Sequence, residues 1–121
     1  MTEQLSPGSD AGNLNCVTLV GRVSAVPDVR DLPSGDRLVT LRVVVDRPPD
    51  RGSAKRVVDV IDVACWSKRT QRTATSLGPA DTVRVEGALR RRFFATGAGG
   101  RASRYEVEAS RLARVRAPST A

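Results

Sequence analysis

The alternation Val83-Arg84-Val85-Glu86-Gly87-Ala88-Leu89 constrains the fold more than any other feature of this chain. Successive residues of a strand face opposite sides of a sheet. Val83, Val85, Gly87 and Leu89 therefore form one row, which reads as buried. The run continues as Arg90-Arg91-Arg92-Phe93-Phe94, so that Arg84, Arg90, Arg92 and Phe94 share the other side. Phe93 has the inward parity and is expected to pack. A two-residue period does not suit a helix, because it would scatter the apolar groups around the axis. A strand from about Thr82 to Phe94 with one apolar face needs partners to close over that face.

Four further segments supply them. The first strand is Asn15 to Val23, with Val17, Leu19, Gly21 and Val23 on one side. The second, Arg37 to Asp46, is rich in β-branched residues. The third runs from Arg56 to Trp66, with Ile61, Val63 and Cys65 inward and Val58, Val60, Asp62, Ala64 and Trp66 outward. The last spans about Arg104 to Leu112. Pro27 and Pro33-Ser34-Gly35-Asp36 mark bends and a turn, Arg47 to Ser53 an exposed basic loop, and Ala95 to Gly100 a hairpin tip. Ser67 to Leu77 fits a short helix, with Ser67 as N-cap and Gly78-Pro79 as its stop. Glycines inside strands, Gly21 and Gly87, point to close backbone approach.

These elements predict an all-β domain over 14–116, flanked by a disordered leader (1–13) and a short tail (117–121). Five strands with one helix between strands 3 and 4 is the order of an OB-fold, a five-stranded Greek-key barrel. A general β-sandwich is the rival, and the helix in that slot counts against it.

A net charge of +7 and a pI near 10.9 point to a polyanionic partner. Among the basic residues only Lys55 and Lys68 are lysines, and arginine suits phosphate and bases because it pairs bidentately and stacks. The aromatics are Trp66, Phe93, Phe94 and Tyr105. There is no histidine, which removes the commonest general base and histidine metal sites. Asp59 and Asp62 have opposite parity on one strand, wrong for a shared metal. No phosphate-cradling glycine loop is present. The expectation is a binding protein with no cofactor, not an enzyme. No apolar run reaches a membrane span and no signal-peptide pattern opens the chain. Cys16 and Cys65 are expected as two buried, reduced thiols of a cytoplasmic protein.

Four segments in order resemble the bacterial single-stranded DNA-binding protein family. Asn15-Cys16-Val17-Thr18-Leu19-Val20-Gly21 is similar to its opening N-x-V-x-L-x-G strand, and Pro27-Asp28-Val29-Arg30 to its P-E-x-R turn. Val85-Glu86-Gly87-Ala88-Leu89-Arg90 resembles its V-x-G-x-L-R strand, followed by the aromatic Phe94, and Tyr105-Glu106-Val107 opens the last strand. The resemblance implies an OB-fold that wraps single-stranded DNA, commonly as a homotetramer whose first strands pair, with roles in replication, recombination or repair near the nucleoid. There are departures. Val60 stands where the family stacks a base on an aromatic, Pro48-Pro49 replaces another, and Asp62 replaces a basic residue. The acidic C-terminal tip that recruits enzymes in the family is not found at Arg116 to Ala121, so a divergent, auxiliary member is expected.

The residues expected to bind are Trp66 and Phe94 as stacking platforms and Arg90, Arg92, Arg84, Arg42 and Arg22 as phosphate contacts. Lys55 and Arg56 are expected to belong to a basic loop closing over the strand. Tyr105 is expected to be structural. Two alternatives stay open: an OB-fold assembly module that partners another family member with residual nucleic-acid binding, and RNA as the ligand, since only contacts to the 2′-hydroxyl tell the two apart.

Overall fold

The alternating runs become strands that close on one another. The computed structural model describes residues 12–49 and 56–116. The strands are β1 (Val17–Val23), β2 (Asp28–Asp31), β3 (Arg37–Asp46), β4 (Val58–Cys65), β5 (Thr82–Ala95) and β6 (Arg101–Val115), with helix α1 (Lys68–Thr75) between β4 and β5. β1 pairs with β5, β5 with β6, β6 in parallel with β4, β4 with β3, and β3 returns to β1 at Arg22 and Val23. This is the expected OB-fold barrel with its helix in the expected slot. Most of the expected leader, the whole expected tail and Lys55 lie outside the described residues. No described helix is long and apolar enough to cross a membrane.

β2 is an addition. The turn after it is tight: the Leu32 N–H donates to Asp36 at 2.8 Å, and Gly35 takes φ +91°. Asp28–Asp31 is thereby folded onto Arg37–Thr40. All four residues of β2 are exposed and only Val29 among them is apolar, so the segment carries no apolar periodicity.

Val23, Val39, Leu41, Val43, Val63, Val83, Val85 and Val107 fill the barrel. α1 seals one end with Ala74, and Leu77 follows it inside. Ser67 caps the helix as expected, accepting from the Thr70 N–H at 3.1 Å. The two strand glycines sit where backbones press together. A Cβ on Gly21 would strike the carbonyl oxygen of Val44, and one on Gly87 that of Glu108. At Gly87 the β5–β6 register shifts by one residue: Ser110 is extra on β6, and its hydroxyl donates to the Glu86 carbonyl.

Two sequence expectations need correction. Cys16 is exposed, whereas Cys65 is buried and its thiol is pushed up to about 11 by burial. Ala64 has outward parity yet is fully buried, because its methyl group is flanked on that face by Thr40 and Glu108 of the neighbouring strands.

Candidate nucleic-acid interface

β5 and β6 outrun the barrel. β1 accompanies β5 only as far as Gly87, opposite Val17. One step further, the Asn15 side chain stands in for a strand residue, donating to the Leu89 carbonyl and accepting from its N–H, both at 2.8 Å. Beyond this clasp Arg90–Ala95 pair only with β6 among the described residues. The result is a two-stranded arm with two faces.

Arg90, Arg92 and Phe94 share one face with Glu106, Arg104 and Ala102 opposite them. On it, the Arg92 guanidinium lies 5.7 Å from the Trp66 ring centroid and Arg104 lies 5.8 Å from that of Phe94. Arg92 and Arg104 are register partners, so the four side chains form a row: Trp66, Arg92, Arg104, Phe94. Beside it runs a cleft of about 400 Å³ between the arm and the β1–β2 connection. Its charged lining is Arg30, Arg42, Arg92 and Arg104 with Asp28, Asp62 and Glu106. Trp66, leaving the end of β4, also borders a broad depression of about 810 Å³ with Arg37, Lys68 and Arg72. Partly exposed rings beside guanidinium groups can stack bases, and the arginines can meet phosphates.

The residues singled out in the sequence divide. Arg92 and Arg42 line the cleft, and Trp66 and Phe94 reach it through the lining arginines Arg92 and Arg104 that lie over their rings. Arg90 lies on the same arm face, paired with Glu108 at 3.0 Å. Arg84 is bonded to Glu86 on the barrel wall. Arg22 grips Asp46 through both guanidinium nitrogens, at 3.0 and 3.2 Å. The Asp46 carboxyl is held below its ordinary range by the Arg22 hydrogen bond, and the Arg56 charge adds to that effect. Arg56 is thus grouped with Arg22 and Asp46, up to about 20 Å of strand from Asp62.

Acidic partners answer most of the expected phosphate contacts. Arg42 meets Asp62 at 3.3 Å, and Arg92 meets Glu106 at 3.2 Å. Exposed pairs of this kind are worth about 0–1 kcal/mol, so a phosphate can displace Asp62 at small cost. Glu106 differs, being only 8 % exposed. Stripping Arg92 from it would strand a buried carboxylate, which is far more costly. Arg92 stays with Glu106 and offers a strand its planar face and remaining N–H groups.

Sequence reasoning missed Arg30, Arg104, Arg91 and Arg101, and it misplaced Phe93 and Tyr105. Both rings are exposed, at 58 % and 57 %. Their inward parity holds, but beyond Leu89 there is no barrel left to pack into. The missing signal was the register of the last strand. It sets Arg104 opposite Arg92 and Tyr105 opposite Arg91 across the hairpin, and the earlier start at Arg101 adds that residue beside Phe93.

The model of the "Single-strand binding protein family" matches residues 14–115. The chain belongs to that family. Family relatives include single-stranded DNA-binding protein A of Bacillus subtilis, 31 % identical over 96 residues, covering 79 % of this chain and 56 % of the relative. The single-stranded DNA-binding protein of Halalkalibacterium halodurans is 30 % identical over 96 residues, covering 79 % and 57 %. The chain thus spans little more than half the length of these two curated relatives. A solved structure, a Plasmodium falciparum SSB in complex with ssDNA, superposes with a TM-score of 0.76 over 89 % of this chain and all of that one, at 23 % identity. It shares the fold.

Proposed function

We propose that the chain binds single-stranded DNA irrespective of sequence, seating it along the cleft with bases on Trp66 and Phe94 and phosphates on Arg42, Arg30 and Arg104. The observation that carries this is the row Trp66–Arg92–Arg104–Phe94, which joins two ring platforms through two guanidiniums along a cleft between the arm and the barrel. Aromatic stacking is indifferent to base identity. The names of the relatives support the same ligand. Replication, recombination or repair in the cytoplasm, at the nucleoid, is the setting this reading assigns.

The proposal extends to assembly. β1 pairs with β3 only at Arg22 and Val23, leaving Val17–Gly21 with an open edge on that side among the described residues. That edge supports pairing of first strands in a homotetramer, or in a mixed assembly with another family member. A second reading, an assembly module with residual DNA binding, is favoured by the carboxylates that neutralise Arg42 and Arg92.

Titration of Trp66 fluorescence with oligo-dT, across a salt series and against duplex DNA, separates the two. Quenching by single strands that fades with salt and is weak with duplex is the expected result. Absence of both quenching and gel shift at low salt would overturn DNA binding in favour of the assembly module.

A further inference from the structure

The face of the arm turned away from the cleft carries different chemistry. There Leu89, Arg91, Phe93 and Ala95 stand opposite Val107, Tyr105, Ser103 and Arg101. The Arg91 guanidinium lies 5.6 Å from the Tyr105 centroid and 4.8 Å from that of Phe93, and Arg101 lies 5.8 Å from Phe93 on its other flank. Tyr105, Arg91, Phe93 and Arg101 therefore form a second continuous row, beside a shallow hollow of about 350 Å³. Arg91 also donates to the Ser103 hydroxyl at 3.3 Å. Among the described residues no carboxylate pairs with Arg91 or Arg101, and none shares this face of the arm.

We propose that this face is a second platform for the same nucleic acid, taking unstacked bases on Phe93 and Tyr105 and phosphates on Arg91 and Arg101. A strand leaving the cleft then passes around the arm instead of ending at Phe94. The inference rests on the reading of the cleft as a single-strand site. Two aromatic rings and Leu89 exposed together on a ribbon that no other described residues cover mark an interaction surface. Two cations with no anion on the face select a polyanion over a second copy of this chain, whose own net charge is +7. Spacing agrees as well. Same-face residues on a strand recur about every 6.8 Å, roughly twice the 3.4 Å rise per nucleotide of a stacked strand, so an unstacked base fits between successive side chains.

The test is photocrosslinking of the full chain to oligo-dT carrying 5-iododeoxyuridine, at two lengths chosen against the roughly 4–16 nucleotides that one OB-fold occupies. An oligonucleotide of about 8 residues is expected to crosslink to Trp66 and Phe94, and one of about 30 to reach Phe93 and Tyr105 as well. The double variant Phe93→Ala/Tyr105→Ala, both side chains being more than half exposed, should lower affinity for the longer strand by about fivefold or more while leaving the shorter one within roughly twofold. Long-strand crosslinks confined to Trp66 and Phe94, or unchanged long-strand affinity in the double variant, would overturn the second platform and leave the cleft intact. A variant that changes only self-association in sedimentation would overturn it too, giving the face to a protein contact. Crosslinks to neither pair would remove both readings together.

Discussion

The two faces of the β5–β6 arm use the same residue types and balance them in opposite ways. On the cleft face, Arg90 and Arg92 sit among Glu106 and Glu108, and their positive charge is largely answered within the protein. On the far face, Arg91 and Arg101 meet aromatic rings instead of carboxylates. An arginine held by a carboxylate is fixed in place but has less charge to offer. One held by a ring keeps its charge and is still oriented, because the cation–π attraction costs it no neutralisation. A count of arginines alone would rank the cleft face first. Their partners show a different balance: among the described residues both far-face arginines of the arm lack a carboxylate, whereas on the cleft face only Arg104 does.

That division can be attacked in several ways. Replacing both Trp66 and Phe94 with alanine should cost about 2–6 kcal/mol of affinity for a short oligo-dT, read by anisotropy, if the cleft works by stacking. A loss of under 1 kcal/mol (about fivefold) would instead make the cleft chiefly electrostatic. Gly87→Ala should disable both faces at once by driving a methyl group into the Glu108 carbonyl. A stability loss of about 3 kcal/mol is expected in urea unfolding, and a neutral result would mean that the β6 bulge is softer than its geometry implies.

Stability itself should respond to alkaline pH through neither face. Cys65 titrates near 11 in the barrel against 9.0 when unfolded. Between those values the unfolded chain releases a proton that the folded one keeps, so stability falls as pH rises through the window. The expected decline is about 2–3 kcal/mol by pH 11, and Cys65→Ala should remove it.

The finest distinction concerns charge. Arg91→Ala should shallow the salt dependence of long-strand binding by about 0.7 in log–log slope, the value for one phosphate on a single strand. Arg42→Ala should shallow it less, because Asp62 already offsets Arg42. Asp62→Asn should then tighten binding by at most about 1 kcal/mol. Equal slopes for Arg42 and Arg91 would erase the contrast between the faces.

Much of this architecture was readable from the chain. Alternation places Val83 and Val85 inside, Ser67 announces the helix, and Gly21 and Gly87 flag the crowded crossings. What escaped depends on where neighbours end. Parity assigns Phe93 and Tyr105 to the inward side, and that side is right, but no local pattern says that β1 ends its pairing at Val17, opposite Gly87, and leaves them bare. The pairing of Arg42 with Asp62, or of Arg92 with Glu106, is a property of register between strands 14 or more residues apart in sequence. Arg104 lies inside the expected last strand, but its place beside Phe94 follows only from the register that sets it opposite Arg92. β2, four exposed residues with Val29 as their one apolar side chain, had no apolar row to show.

Cys65 has a use that its burial makes available. Only a thiolate is alkylated readily, and this thiol stays protonated, enclosed beside Val39 and beneath α1, whose Gln71 amide binds the Cys65 carbonyl. It becomes reactive only at moments when β4 parts from its surroundings. Its labelling rate is therefore a clock for barrel breathing, built in at the root of the Trp66 platform. A strand laid across that platform should slow the clock, reporting occupancy through the interior of the protein with no probe on the DNA.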